Sequence, residues 1–201
     1  MDKYREEIEQ LILGIPDRGK ILFAALTAER LYPNYMFFQR INRWGKLESL
    51  GEGLSIIYQS LIKDDLFNSS EIEFAIANLE IVTPDTEEFP DITTSFALDA
   101  CTSISSILSY LLEKNTEHIV DVAIFARDTV DMFIQEKYDI IPSDSLMEAK
   151  IANDPLMIKE KERQKKLLDR LRNIEMEIIT DDFINSLRDK TPIIELEIFE
   201  K

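Results

Sequence analysis

The stretch Phe96-Ala97-Leu98-Asp99-Ala100-Cys101-Thr102-Ser103-Ile104-Ser105-Ser106-Ile107-Leu108 decides how the rest of the chain is read. Ala97, Ala100, Cys101, Ser103, Ser105 and Ser106 are all small, and small side chains let neighbouring helices approach closely. The helix from about Asp91 to Lys114 is therefore expected at the centre of a helical bundle. Asp99, set among these residues, needs a partner if it is buried, and Arg30 is the natural one. A structural ion pair is preferred there to a catalytic acid. Cys101 lies mid-helix rather than at a helix N-terminus, where its pKa would fall, and reads as a core cysteine.

Outward from this helix the pattern stays helical. Tyr4, Ile8, Leu11 and Ile12 share one face of a short first helix that Gly14-Ile15-Pro16 breaks. Asp17 to Leu31, with Ile21-Leu22-Phe23-Ala24-Ala25-Leu26, is apolar on most sides and reads as a buried helix. Pro33 is placed to open a further helix, closed near Trp44 with Gly45 beyond its end. Leu47, Leu50, Leu54, Ile57 and Leu61 mark an amphipathic helix to about Lys63. Ser70-Glu71-Ile72-Glu73 fits a capping box for a helix whose apolar face is Ile72, Ile76 and Leu79. Pro84 and Pro90 keep the next segment a loop. Thr116 is a candidate cap for a helix facing inward through Ile119, Ala123, Ala126, Val130 and Phe133. A connector with Pro142 follows, with a short helix after Ser143. Asp154-Pro155 then starts a long helix. Lys159 to Lys166 has no apolar side chain and is expected to be solvated, before Leu167, Leu171, Ile174 and Ile178 resume an inward face. Thr180-Asp181-Asp182 is placed to interrupt it. Ile194, Leu196 and Ile198 alternate with Glu195 and Glu197, so the tail either pairs with another chain or lies extended on the bundle, the second being preferred. The fold class is all-α: a compact single-domain bundle of about seven to nine helices over 1–201, with residues 191–201 as an extended tail.

The chain has 201 residues, 23 Lys+Arg and 39 Asp+Glu, for a formal charge of -16. Residues 1–63 hold 8 acids and 9 bases, 64–113 hold 11 acids and no base, and 114–201 hold 20 acids and 14 bases. Such a field repels phosphate backbones, so nucleic acid is not expected as a partner. An acidic patch is expected at Asp85, Glu87, Glu88 and Asp91. No long uninterrupted apolar run and no apolar leader is visible, so no membrane association and a cytoplasmic location are expected. One Cys rules out an internal disulfide framework, and a single His rules out a two-His metal site. No metal and no cofactor are expected. Gly14-Ile15-Pro16-Asp17-Arg18-Gly19-Lys20-Ile21 approaches a phosphate-binding loop but has Ile21 where the Ser/Thr hydroxyl belongs, and it reads as an interhelical turn. Gly51-Glu52-Gly53 lacks the rest of a dinucleotide fingerprint.

Glu29-Arg30 and Tyr32-Pro33-Asn34-Tyr35 form a polar and aromatic cluster at a helix corner. It is either a pocket rim, with Arg30 and Asn34 as donors and Glu29 as acid or base, or a corner whose polar groups satisfy one another. The second is preferred. His118 reads as a capping or surface residue.

Ala28-Glu29-Arg30-Leu31-Tyr32-Pro33-Asn34-Tyr35 resembles the N-terminal signature of the YjaG-like family of uncharacterised bacterial proteins. Pro84 to Phe89, Ala97-Leu98-Asp99-Ala100-Cys101, Glu117-His118 and Asn153-Asp154-Pro155 are similar to its further motifs, in the same order. The resemblance implies a compact, mostly α domain and marks Glu29, Arg30, Tyr32, Asn34, Asp99 and His118 as the matching positions. It implies no activity. A non-enzymatic binding protein, self-associating or with an unknown protein partner, is the leading expectation. One rival is an enzyme using Glu29, Asp99 and His118, with or without a divalent metal. The other is an acidic protein that occupies a basic partner.

Overall fold

The structure, a computed structural model, describes residues 2–62, 68–141, 143–172 and 179–199. The chain runs α1 (Lys3–Leu13), α2 (Asp17–Asn42), α3 (Leu47–Ile62), α4 (Ser69–Val82), α5 (Ile92–Glu113), α6 (Glu117–Lys137), α7 (Met147–Ala152), α8 (Pro155–Arg172) and α9 (Asp181–Leu187), then a 3-10 turn at Leu196–Phe199. No strand occurs among the described residues.

The small-residue helix α5 is the centre, packed most closely against α2 and α6. Gly53 of α3 shows how tight the approach is, since a Cβ there would lie 2.7 Å from Ile104. α5 is long and apolar enough to cross a membrane by composition, yet Phe96, Ala97, Ala100, Cys101, Ile104, Ile107 and Leu108 are buried in the bundle. Asp91, at the expected start of the helix, caps it, its carboxylate accepting from the Thr93 N–H at 2.9 Å.

α2 departs from the expected pair of helices. It is one helix of 26 residues with Pro33 inside it. A proline at that position removes the hydrogen bond to the Glu29 carbonyl. Packing outweighs this, because Asn34, Tyr35, Phe37 and Phe38 stay buried beyond it. The helix ends at Arg43, which is left-handed at φ 52°, and not at Gly45. Gly45 matters for a different reason. Its φ is +92°, and a Cβ there would meet the Tyr35 hydroxyl. That hydroxyl donates to the Val82 carbonyl at 2.9 Å and accepts from the Lys46 N–H at 3.1 Å. Beside it, Phe89 packs against Phe38 and Trp44 with ring centroids 5.4 and 5.3 Å away. One aromatic from the acidic loop thereby pins that loop to the bundle.

Other differences are local. The capping box of α4 is Asn68 with Glu71, starting two residues before Ser70. Thr116 makes no side-chain cap; the Asn115 carboxamide accepts from the Glu117 N–H instead. Asp154-Pro155 opens α8, as the sequence predicts. Thr180, expected only to interrupt that helix, caps α9, its hydroxyl accepting from the Phe183 N–H at 3.2 Å. The interhelical turn at Gly14–Pro16 is also as predicted. Expectations resting on Lys63, Pro142, Ile174 and Ile178 lie outside the described residues. In the tail, Ile193 and Ile194 are buried on the chain's own bundle, but Leu196–Phe199 coils rather than extending. The coil carries Phe199 to within 5.7 Å of the Phe96 ring and 6.1 Å of Phe133, which breaks the alternation and leaves Ile198 exposed.

Candidate functional site

The residues singled out in the sequence fall in four places. The first is a charged corner where α2 meets α8 and the segment after α9. Arg30 is buried, with Nη1 donating to Glu160 and Nε donating to the Thr191 carbonyl at 3.3 Å. Its partner is thus Glu160, not Asp99. Glu160 is 2% exposed and also receives Arg163 at 2.8 and 3.1 Å and Gln164 at 3.0 Å. Gln164 in turn donates to the Ala123 carbonyl at 3.0 Å and accepts from the Tyr4 hydroxyl at 2.9 Å. The expectation that Lys159 to Lys166 is solvated is therefore corrected. Once per turn that run sends a polar side chain into the core, where Glu160 and Gln164 are as buried as any leucine. Burial alone would raise the Glu160 pKa, but Arg163 and Arg30 outweigh it and hold the carboxyl below its ordinary range.

Beside this network lies an open cleft of about 440 Å³, lined by Glu29, Arg30, Pro33, Arg188, Asp189 and Lys190 among others. Glu29 accepts from the Tyr58 hydroxyl and from Arg188 Nε at 3.0 Å, and the Arg188 guanidinium lies 5.0 Å above the Tyr58 ring. The corner is thus both a satisfied network and, through Glu29 and Arg30, the edge of a cavity.

The other aromatic and amide residues of the signature face elsewhere. Tyr35 holds the α2–α3 turn. Tyr32 is half-buried and reaches the Leu47 carbonyl at 3.5 Å. Asn34 is buried, and its Nδ2 has no hydrogen-bond partner among the described residues.

Asp99 and His118 are separate again. Asp99 on α5 accepts from the Thr129 hydroxyl of α6 at 2.7 Å, and burial pushes its pKa up to about 7, the neighbouring Asp128 adding to the shift. His118 pairs with Glu113 at 2.8 Å at the α5–α6 turn. Glu29 lines the cleft at the corner and neither Asp99 nor His118 does, and among the described residues no cluster has the acids, His or Cys to hold a metal. Cys101 is buried in the core, and burial raises its pKa to about 12.

The fourth place is the acidic face. Asp85, Glu87, Glu88 and Asp91 are all exposed on the loop that Phe89 pins. Asp85 also accepts from the Glu87 N–H at 2.8 Å, an Asx turn that shapes the loop. Directly before the loop, α4 turns Ile72, Ala75, Leu79 and Val82 inward and Phe74, Ala77 and Ile81 outward. Phe74 is 68% and Ile81 73% exposed, the largest values among the exposed large apolar residues. Helical geometry puts Glu71 on one flank of this stripe and Glu73 and Glu80 on the other. The sequence carried a signal for it: Phe74 and Ile81 fall off the Ile72–Ile76–Leu79 face, so α4 is apolar on two sides. No comparable signal marked Glu160.

Residues 7–193 match the family described as a protein of unknown function, DUF416. The uncharacterized protein YjaG of Escherichia coli (strain K12) is 30% identical over 115 residues, 56% of this chain and 57% of its own length. YjaG of Salmonella typhimurium is 29% identical over 115 residues, again 57% of its length. The alignment thus spans a little over half of these relatives. The crystal structure of a DUF416 family protein from Shewanella baltica OS155 superposes with a TM-score of 0.78 at 27% identity, covering 89% of this chain and 90% of that one. The helical architecture is shared with that structure. The match takes in the central helix, the charged corner and the acidic face together, and the chain belongs to the DUF416 family.

Proposed function

We propose that this chain is an interaction protein whose α4 face receives a basic amphipathic helix of another protein. The supporting observation is the pairing of two features on one surface. Phe74, Ala77 and Ile81 form an exposed apolar stripe, and every charged residue from 64 to 113 is acidic. Single exposed hydrophobes are ordinary, but a stripe at helical spacing with a one-signed rim is what a helix-binding surface presents. Apolar contact supplies affinity there, and the rim selects a partner of opposite charge. Self-pairing through the same face would set carboxylates against carboxylates, so a different protein fits better than a second copy.

The test uses fluorescence anisotropy with a labelled Lys/Leu amphipathic peptide of about five helical turns and a scrambled control. The native chain is expected to bind the amphipathic peptide more tightly than the control, and less tightly as salt rises. Phe74→Ser with Ile81→Ser is expected to weaken it at least tenfold. Unchanged binding by that variant would reduce the face to nonspecific charge attraction. A native dimer in light scattering that the same substitutions dissociate would make the face a self-association surface instead.

A further inference from the structure

Basic residues are not spread along the chain as acidic ones are. α8 holds 7 of the 23. Lys159, Arg163, Lys166 and Arg170 recur at intervals of 4, 3 and 4 residues, which puts them on one face of the helix. They line a groove of about 310 Å³, with Leu187 and Asp189 in its wall. Asp189 also borders the cleft of Arg30, Arg188 and Lys190, so groove and cleft adjoin. Seven cations and three carboxylates, Glu29, Glu162 and Asp189, line the two, in a protein of formal charge -16. The local sign is the reverse of the global one.

The groove is also preorganised. Arg163 is gripped by both oxygens of the buried Glu160, so its guanidinium is fixed in direction. Lys159 and Arg170, at the two ends of the row, pair with no carboxylate among the described residues. Lys166 meets Glu162 at 3.1 Å, with the two side chains 75% and 58% exposed, a solvated pair that exchanges partners at little cost. A fixed central guanidinium between uncommitted cations suits a multivalent anion. From Arg163 to Arg170 the helix rises about 10 Å, within side-chain reach of two or three linked phosphoryl groups. The volume is that of a small-ligand pocket. A long polyanion would run out of the groove into a repulsive field, and a compact one does not.

We propose that the groove between α8 and α9 binds a small anion carrying two or more linked phosphoryl groups, held by Lys159, Arg163, Lys166 and Arg170. The site is distinct from the α4 face and stands or falls without it.

Titration calorimetry with sodium tripolyphosphate, ATP and inorganic phosphate at about 50 and 200 mM NaCl tests this. Tripolyphosphate and ATP are expected to bind at least tenfold more tightly than inorganic phosphate. Lys159→Ala with Arg170→Ala is expected to weaken both at least tenfold while leaving the thermal midpoint unchanged; Lys166→Glu is expected to act in the same direction. Equal affinity for the two would mean that the phosphoryl chain alone is read, and tighter ATP binding that the nucleoside enters the neighbouring cleft. Either supports the site. Three results would overturn it: no heat from tripolyphosphate or ATP, unchanged affinity in the double variant, or preferential binding of a short single-stranded oligonucleotide, which would point to a nucleic-acid surface.

Discussion

On α4 and the loop after it, carboxylates stand in water beside bare apolar side chains. At the α2–α8 corner, a carboxylate of the same kind is closed in with two guanidiniums and an amide. The contrast separates charge that shapes the interior from charge that shapes the surface. Glu160 has lost its water and is held by its neighbours, so its removal strands Arg30. Glu87 and Glu88 keep their water, so their removal changes the field and little else. A ligand or partner can use only the second kind directly. At the corner it meets the cations left at the rim.

The largest expected effect breaks the buried side of this comparison. Glu160→Gln leaves Arg30 buried without its counter-charge and should cost about 3–5 kcal/mol, lowering the thermal midpoint by about 6–20 °C. Glu87→Gln should move it by less than about 1 °C. Similar small shifts for both would mean that the corner is wet, and the contrast would fail.

Next comes Asp99, a buried carboxyl with a hydroxyl but no cation. Its folded pKa of about 7 lies above the unfolded value near 3.9. Between those values the native chain keeps a proton that the unfolded chain has released. Asp99 therefore makes stability fall as pH rises from about 4 to 7 and level off above. Asp99→Asn should remove that slope and stabilise the protein at pH 8 by about 2 kcal/mol, since the amide oxygen still accepts from Thr129. Glu160 has the opposite sign, its stabilisation being lost only as pH falls below the ordinary carboxylate range. Denaturant unfolding from about pH 4 to 8 isolates the Asp99 slope, since the Glu160 contribution is lost only below that window. A native protein whose stability is flat over that range would place Asp99 in solvent.

A smaller effect belongs to the acidic side. Asn68→Ala removes the reciprocal cap at the start of α4 and should cost about 1 kcal/mol. Loss of amide-exchange protection confined to α4 is the expected signature. Protection lost evenly across the bundle would show instead that α4 is not a separable surface element.

How legible each region is in the sequence follows from the same physics. The central helix, the buried cysteine and the Asp154 cap are readable, because small-residue runs and cap residues act through local geometry. The acidic stretch is readable because charge surplus is a property of composition. The corner is not. Over Lys159–Lys166 no apolar residue marks an inward position, and Glu160 and Gln164 are distinguished from their neighbours only by what lies opposite them on α1, α2 and α6. Arg30 does need a carboxylate, but one 130 residues away is not visible from local spacing. Pro33 misleads for a related reason. Its local signal for a helix start is real, and the packing of Tyr35 and Phe38 overrides it.

The smallest expected effect on stability falls on the face with the strongest proposed role. Phe74 and Ile81 are each more than two-thirds exposed, so Ser at both positions removes little buried area. Helix propensity changes little either, since Ser ranks with Phe and Ile in a helix interior. The double variant should unfold within about 0.5 kcal/mol of the native chain, against several for Glu160→Gln. Two large apolar side chains that contribute almost nothing to the fold, on a helix already anchored by Ile72, Leu79 and Val82, have no structural reason to be apolar. A midpoint lowered by several degrees would give them one, by showing that they are covered by the chain itself. The α4 face would then belong with the corner, as interior rather than surface.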